Sequence, residues 1–262
     1  MLFGGIYLIG WIIGIVLCLV MVIFLYMLLL AFQTNVHTHS LVIDEWTVDK
    51  QLRVFFISDI HRRRLGEKLI QNLIGKVDIV IIGGDLTEKG VPLNRTNDNI
   101  RQLAKLGSTY YVFGNNDREV GEENLRRILD FHGVCILENN SMEYVKNNFS
   151  VRIVGINDGF QGNVEIYEAF TNVKESDVII FATHAPTYFH NAKKITKPHL
   201  LLAGHLHGGQ IRFGPIGIYE KGSYREKENS AELISNGFGT TAVPLRLGAK
   251  SECHLITMSG RR

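Results

Sequence analysis

The hydrophobic positions fall into two kinds of segment. The first is a single run over residues 2–32, in which every residue is apolar or glycine. After this run, short apolar stretches alternate with longer stretches of mixed polarity. Five of the short stretches are apolar almost throughout, which is typical of strands buried on both faces. They cover residues 54–58, 79–84, 109–114, 178–183 and 199–204.

Helical spacing of apolar residues appears between these predicted strands, near residues 67–74, 97–106, 119–131 and 164–170. A hairpin-like region runs over 134–154, with its turn expected at Asn139-Asn140, and the last third of the chain is strand-like and rich in glycine. Strands that alternate with helices, followed by a β-rich remainder, predict an α/β fold of two packed sheets with helices outside.

The run over 2–32 is longer than the roughly 20 residues that a membrane-spanning helix needs. A signal peptide would show a basic leader and a shorter apolar core, and a core helix of a soluble domain would show a polar stripe. The sequence therefore predicts a single-pass anchor in the cell membrane over 1–32, a polar connector over 33–51 and one domain over 52–262. Lys50 is the sole basic residue near the anchor, so either side of the membrane stays open for the domain.

The distribution of charged residues gives no positive indication of function and argues only against certain partners. All 28 lysines and arginines and all 26 aspartates and glutamates come after the apolar run, which leaves an ordinary globular composition for the remainder. The net charge of +2 gives no reason to expect a nucleic-acid partner. No feature of the sequence indicates an obligate protein partner.

Each predicted buried strand is followed by a side chain that can bind a metal. Ligands bind beyond the carboxyl ends of strands in open α/β sheets, so these side chains should converge. Carboxylates, an amide oxygen and imidazoles suit Zn, Mn or Fe, and seven ligands exceed the need of one ion. Two divalent ions that share a bridging carboxylate would account for the number. The seven residues are Asp59, His61, Asp85, Asn115, His184, His205 and His207.

Each of these residues also has an ordinary structural interpretation. A single histidine beside an apolar strand is usually structural, and a strand-terminal aspartate usually caps the following helix. The joint pattern favours the metal site. Arg62, Arg63 and Arg64 come directly after His61 and have two interpretations: a clamp for substrate phosphate, with Arg62 nearest the metals, or a solvated positive turn.

The motifs Asp59-x-His61, Gly84-Asp85, Gly114-Asn115, His184 and Gly204-His205-x-His207 resemble, in order and spacing, those of the calcineurin-like metallophosphoesterase superfamily. GHLHGGQ at 204–210 and GFGTTAVPLRLGAKSE at 237–252 are similar to its membrane-associated or exported bacterial subgroup. The resemblance implies a four-layer αββα sandwich of two mixed β-sheets flanked by helices, with 52–262 as the catalytic domain.

The resemblance also implies a ligand set for each metal. Asp59, His61, Asp85 and His207 would hold the first ion, and Asp85, Asn115, His184 and His205 the second, with Asp85 bridging. A bridging hydroxide would attack phosphorus in line, while His184 and Arg62 neutralise charge on the phosphoryl oxygens.

The third motif departs from the family pattern. The family commonly has histidine after Gly-Asn, where it assists the leaving group, and this chain has Asn116. Asn116 has no titratable proton and cannot be a general acid, although it could donate a hydrogen bond to a phosphoryl oxygen. The change favours a leaving group that needs little protonation, or one that is assisted by metal-bound water. Asp117 is expected to orient the loop and not to bind metal.

These features predict a membrane-anchored, metal-dependent hydrolase of a phosphoester, phosphodiester or pyrophosphate. A narrower hypothesis, motivated by the anchor, places the phosphate on a lipid-linked or envelope substrate. The alternative, motivated by Asn116, is a metal-binding scaffold of the same fold with little or no turnover. A nucleic-acid phosphodiesterase is disfavoured by the anchor and the near-neutral charge.

Overall fold

The computed structural model describes residues 2–147 and 149–261. Helix α1 (Leu2–Phe32) comes first, and the chain then forms two six-stranded sheets. The first sheet has the strand order β1-β12-β2-β3-β4-β5. Its strands are β1 (Asn35–Ile43), β2 (Gln51–Ile57), β3 (Ile79–Gly83), β4 (Ser108–Val112), β5 (Cys135–Ile136) and β12 (Glu252–Gly260).

The second sheet has the order β10-β11-β9-β8-β7-β6. Its strands are β6 (Asn140–Lys146), β7 (Phe149–Gly155), β8 (Ile179–Ala182), β9 (Leu200–Ala203), β10 (Ser223–Lys227) and β11 (Ser230–Ile234). The helices outside the sheets are α2 (Glu67–Leu73), α3 (Leu93–Ala104), α4 (Glu122–Phe131), α5 (Ile166–Ala169) and α6 (Phe189–Ile195).

Successive side chains along each central strand point to opposite faces of the sheet, and this alternation gives the four layers. Phe56 of β2 and Ile180 of β8 point between the sheets and share one buried cluster. The next residues, Phe55 and Phe181, point the other way. Phe55 packs in a cluster with residues of α2, α3 and α4, and Phe181 in one with residues of α5 and α6. Because both faces of each central strand are covered, the strands are apolar throughout, and the predicted αββα sandwich of two mixed sheets is confirmed.

Parallel pairing positions the carboxyl ends of the central strands. Strands β2, β3 and β4 are parallel to one another in the first sheet. Strands β7, β8 and β9 are parallel in the second. The ends of β2, β3, β4, β8 and β9 are the five strand ends from which the sequence predicted a convergent site.

Two local predictions need correction. The stretch 33–51 is more than a connector, because it contains β1, which pairs in parallel with β12 from Asn35↔Glu252 to Ile43↔Gly260. Most of β1 is exposed or half-buried, so it lacks the apolar pattern of a buried strand. The hairpin turn also lies later than expected, because β6 and β7 pair from Asn140↔Gly155 to Lys146↔Phe149.

Helix α1 joins the domain without a long spacer. Only Gln33 and Thr34 separate it from β1. Its last turns contact the domain: Leu30 and Ala31 are buried, and the carbonyl of Met27 accepts a hydrogen bond of 3.1 Å from the Arg246 backbone. The stretch Ile9–Phe32 has a mean hydropathy of 3.2 and is long and apolar enough to cross a membrane.

Candidate metal centre

Backbone hydrogen bonds join the loops at the ends of the central strands. The Asp59 amide donates to the carbonyl of Gly84 at 2.9 Å, and the His61 amide donates to the carbonyl of Asp85 at 3.0 Å. In the second sheet, the Gly204 amide donates to the carbonyl of His184 at 3.0 Å. These bonds fix the relative positions of the loops that carry the predicted ligands.

Five of the seven predicted ligands have a left-handed backbone. Their φ angles lie between 50° and 72°. Non-glycine residues rarely adopt this conformation, and such strain concentrates at functional sites. The backbone at these positions is therefore bent to aim side chains at a common point. The five residues are Asp59, His61, Asp85, His205 and His207.

Two glycines allow the loops to approach closely. A Cβ atom on Gly114 would lie 2.3 Å from the Asp85 amide nitrogen, and a Cβ atom on Gly204 would lie 2.4 Å from Asp59 Oδ2. Neither distance is sterically allowed. The glycines that precede Asn115 and His205 in the sequence motifs are therefore required by the geometry of the site.

One half of the site is formed by Asp59, His61 and His207. His61 Nε2 lies 3.2 Å from His207 Nε2, and His207 Nε2 lies 3.3 Å from Asp59 Oδ1. One ligand atom from each of the three residues lies within 4.8 Å of the others, and all three residues are buried.

The other half is formed by Asn115, His184 and His205. His184 Nε2 lies 3.1 Å from Asn115 Oδ1 and 3.1 Å from His205 Nδ1. Asp85 lies between the halves: its Oδ2 is 3.4 Å from His184 Nε2 and 3.7 Å from His61 Nε2. The structure thus brings all seven predicted residues into one network, with Asp85 at its centre.

This donor set fits divalent cations. In each half two imidazole nitrogens face each other at hydrogen-bond distance, beside a carboxylate oxygen. A neutral imidazole carries one ring proton and a carboxylate carries none. The available protons are therefore too few, and some lone pairs of these nitrogen and oxygen atoms face one another without a proton between them. A cation in each half would satisfy the facing nitrogens and the carboxylates together.

The electrostatics agree with this interpretation. Burial alone would lower the pKa of His184, but Asp85, together with Asp59 and the carbonyl of Gly83, outweighs burial and raises the pKa to about 10. Burial would raise the pKa of Asp85, but the imidazoles of His184 and His61 outweigh burial and lower it. The buried carboxylates therefore create a negative potential that favours a positive charge at the centre.

Arg62 does not point at the centre. Its side chain is 68 % exposed and forms an ion pair with Glu88. The other Glu88 oxygen lies 2.9 Å from His61 Nδ1, so Arg62 is linked through Glu88 to a predicted metal ligand. Arg63 instead donates to the backbone carbonyls of Phe32 and Phe238.

Asn116 supports the central carboxylate. Its side-chain Nδ2 donates to Asp85 Oδ2 at 2.7 Å, and its backbone amide donates to Asp85 Oδ1 at 2.9 Å. Asp117 is buried and accepts hydrogen bonds from the backbone amides of Asp85, Thr87 and Gly114. Asp117 therefore orients the loop, whereas the side chain and backbone amide of Asn116 both donate to Asp85.

Two supporting residues were missed by the sequence analysis. Glu88 lies in a polar loop whose pattern gave no reason to select it. Arg246 is fully buried, and its Nη2 lies 3.3 Å from His207 Nδ1. A single arginine in a glycine-rich segment carries no signal of burial. Glu88 lies close to Gly84-Asp85 in the sequence, but this closeness does not distinguish it from the other polar residues of the loop.

The sequence profile of the calcineurin-like phosphoesterase family matches residues 52–209. Together with the fold and the convergent strand ends, this match shows that the chain belongs to the calcineurin-like phosphoesterase family, whose members are metal-dependent phosphoester hydrolases. The family prediction made from the motifs is confirmed.

Several individual proteins are similar to this chain. The uncharacterized protein YpbG of Bacillus subtilis is 40 % identical over 228 residues, which cover 86 % of this chain and 88 % of YpbG. The phosphodiesterase YaeI of Escherichia coli is 27 % identical over 180 residues, 63 % of this chain and 64 % of YaeI. A transmembrane protein with a metallophosphoesterase domain from Danio rerio is 26 % identical over 236 residues, 79 % of this chain and 53 % of that protein.

A solved structure from Staphylococcus aureus, assigned as a 5′-nucleotidase, shares the fold. The TM-score is 0.54 and the sequence identity is 13 %, over 79 % of this chain and 54 % of that chain. At this identity the likeness concerns the arrangement of sheets and helices alone.

Proposed function

We propose that this protein is a membrane-anchored phosphoesterase that hydrolyses a phosphoester, phosphodiester or pyrophosphate bond with two divalent metal ions. The observation that carries the proposal is the position of Asp85, whose Oδ2 faces imidazoles of both halves of the centre. A carboxylate in that position can bridge two cations.

The ligand sets correspond to the two halves of the centre. Asp59, His61, Asp85 and His207 would hold one ion, and Asp85, Asn115, His184 and His205 would hold the other. Nitrogen and oxygen donors suit Mn, Zn or Fe. When bound, the two ions lower the pKa of a water nucleophile and neutralise charge that develops on the phosphoryl oxygens.

The residues of the chain orient these donors. His184 Nδ1 lies 2.9 Å from the carbonyl of Gly83, so its proton is held there and Nε2 is free to face the centre. Asn116 holds both oxygens of Asp85. Arg62 is exposed at the rim of the site and pairs with Glu88. If a substrate phosphate replaced Glu88 as the ion-pair partner, the Arg62 guanidinium would bind the phosphoryl group.

The membrane location is inferred from α1. A helix with no charged residue over 31 positions exceeds the thickness of a bilayer core, at a rise of about 1.5 Å per residue. The Danio rerio relative is also a transmembrane protein. We place the chain in the cell membrane as a single-pass protein, with no nucleic-acid partner.

The substrate class is inferred from the site and its location. YaeI, a relative of this chain, is a phosphodiesterase. Asn116 supplies no proton for a leaving group, which favours substrates whose leaving group is already stable as an anion. A phosphorylated, lipid-linked substrate would lie near the bilayer and could supply such a leaving group.

Metal removal tests the proposal directly. The full chain in lipid nanodiscs, stripped of metal by a chelator, is expected to lose hydrolysis of bis(p-nitrophenyl) phosphate and to recover it when Mn is added. Bound metal is measured in parallel, with two ions per chain as the expected content. Two bound ions without turnover on any phosphoester would instead support the scaffold alternative, and no metal binding would contradict both.

Glu88→Gln is expected to lower the affinity for Mn about tenfold, because residues that orient a metal-binding histidine commonly contribute 10–100-fold to affinity. The amide keeps the size of the side chain but loses the charge facing His61 Nδ1. Calorimetric titration of metal-free protein gives the Kd.

Glu119→Gln is the matched control for this measurement. Glu119 accepts a hydrogen bond from the Lys89 amide in the same loop region but does not contact a predicted ligand. Equal affinities in the two variants would show that Glu88 has no role in holding His61.

A further inference from the structure

Residues 213–219, here called the apolar loop, expose an unusual number of large hydrophobic side chains. Phe213 is 72 % exposed, Ile216 75 %, Ile218 80 % and Tyr219 55 %. Single exposed hydrophobic residues are common on soluble domains, but a contiguous group marks an interaction surface.

This exposure is fixed by the local structure. The Arg212 side chain is buried beneath the loop and donates to the carbonyls of Gly214 and Pro215 at 3.0 and 2.9 Å. It also donates to the carbonyl of Tyr219 at 3.1 Å, and Phe213 and Ile216 pair through their backbones. Because the guanidinium fills the inside of the loop, the hydrophobic side chains cannot fold inward.

The apolar loop is connected to the end of α1 through short contacts. The Arg212 amide donates to the carbonyl of Leu247 at 2.8 Å. The preceding residue, Arg246, donates its backbone amide to the carbonyl of Met27 in α1 at 3.1 Å. Val243, which is 46 % exposed, lies in the same segment.

The position of the Met27 contact along α1 indicates that the neighbouring domain surface would lie at the level of the bilayer. Met27 lies five residues before Phe32, at which α1 ends, or about 7.5 Å at the rise of an α-helix. Residues 27–32 are all apolar, so the domain surface lies beside a part of α1 that has no polar residue. A bilayer that surrounds α1 up to its end would therefore reach the neighbouring domain surface.

We propose that the apolar loop and Val243 form a second membrane contact that inserts into the interface of the bilayer spanned by α1. The inference rests on the proposed membrane span of α1 and adds a docking surface to it. The occupant is lipid because the surface continues from an apolar helix. Aromatic and aliphatic side chains together are typical of interfacial insertion.

The loop also lies next to the metal centre. Arg212 Nη1 donates to the carbonyl of Gly208 at 2.9 Å, and Gly208 is the residue directly after His207. Insertion of the loop would therefore hold the rim of the metal centre at the membrane surface, where phosphates of lipid head groups lie.

Fluorescence quenching by brominated lipids tests the docking surface. Ile218→Trp and Ile216→Trp are made in the full chain, which is placed in nanodiscs of phosphatidylcholine with and without bromine on the acyl chains. We expect the emission added by each substitution to fall at least twofold with brominated lipid. Phe131→Trp is the matched control, because Phe131 is 80 % exposed on α4, and its added emission should not change.

The parent protein separates the two proposals. The parent has two tryptophans, Trp11 in α1 and Trp46, which is buried in the domain, so quenching of the Trp11 part of the parent emission reports insertion of the helix. Quenching of the parent, together with unquenched emission from both loop variants, would overturn the docking surface and leave the anchor standing. An unquenched parent would overturn both.

Discussion

Replacing Asp85 with alanine is expected to lower kcat/KM for an activated phosphodiester by roughly a thousandfold, the scale of loss when a principal electrostatic element of an active site is removed. The reason is the central position of this carboxylate. Its Oδ2 lies 3.4 Å from His184 Nε2 and 3.7 Å from His61 Nε2, so its removal disconnects the two halves of the proposed metal centre.

The same substitution should reduce the metal content. Without Asp85, each proposed ligand set loses one of four donors, and the negative potential that raises the pKa of His184 is weakened. Hydrolysis is measured with added Mn in nanodiscs, and bound metal is measured by mass spectrometry on the same samples.

Asp130→Ala is the control, since Asp130 is an exposed carboxylate on α4. We expect its activity to stay within about twofold of the parent, as surface substitutions away from special features have small effects. An Asp85→Ala protein with parent-like activity and two bound ions would contradict both the bridging role and the dinuclear centre.

Arg246→Met is expected to lower the free energy of unfolding by about 3–5 kcal/mol, because several buried carbonyl oxygens lose their donor and each unsatisfied buried polar group costs about 1–3 kcal/mol. Arg246 is the largest of the fully buried side chains in the described part of the chain. Burial lowers the pKa of Arg246 to about 10, which leaves the guanidinium charged at neutral pH.

The Arg246 guanidinium stabilises an irregular segment by donating hydrogen bonds to the backbone carbonyls of that segment. It donates to Asn236 at 2.7 Å, to Gly239 at 2.6 Å and to Ala249 at 3.0 Å. Methionine fills a similar volume but donates no hydrogen bond, so these buried carbonyls lose their partner. The segment also contacts the proposed metal centre, because the Gly239 amide donates to the carbonyl of Asp59.

Urea denaturation gives the change in unfolding free energy for this variant. Arg101→Met serves as the control, since Arg101 is exposed and pairs with Asp98 at the surface, and we expect a change below about 0.5 kcal/mol. Arg246→Lys should recover little, because an ammonium group lacks the planar set of donors. Equal midpoints for Arg246→Met and Arg101→Met would show that the buried network does not stabilise the fold.

The placement of the predicted ligands could be anticipated because it depends on a simple rule of chain geometry. Asp59, Asp85 and His184 each lie directly after an apolar run, and within one sheet parallel strands bring the residues at their carboxyl ends to the same edge. Asp59 and Asp85 belong to the first sheet and His184 to the second, so the order of the family motifs was needed to join the two edges. The sequence alone could therefore group residues that are more than 100 positions apart.

The supporting residues could not be anticipated in the same way. Glu88 and Arg246 act through contacts that depend on how irregular loops fold over the strand ends. Asn116 shows the same limit: its identity was noted, but its donation to Asp85 depends on a side-chain direction that the sequence does not encode locally.

Strand β1 was missed for a different reason. Its partner β12 lies more than 200 residues away, and only two of its residues, Leu41 and Ile43, are buried. An exposed edge strand that is stabilised by long-range pairing has no local hydrophobic pattern.

If α1 spans the bilayer as proposed, the short join between α1 and β1 restricts where the catalytic site can work. Gln33 and Thr34 could extend by only about 7 Å, at roughly 3.5 Å per residue. On the proposed lipid-linked substrate, a catalyst held this way would search in two dimensions, and its turnover would depend on the number of substrate molecules per unit area. Diluting the substrate with inert lipid would then slow the reaction, even when the total amount of substrate in the tube is constant.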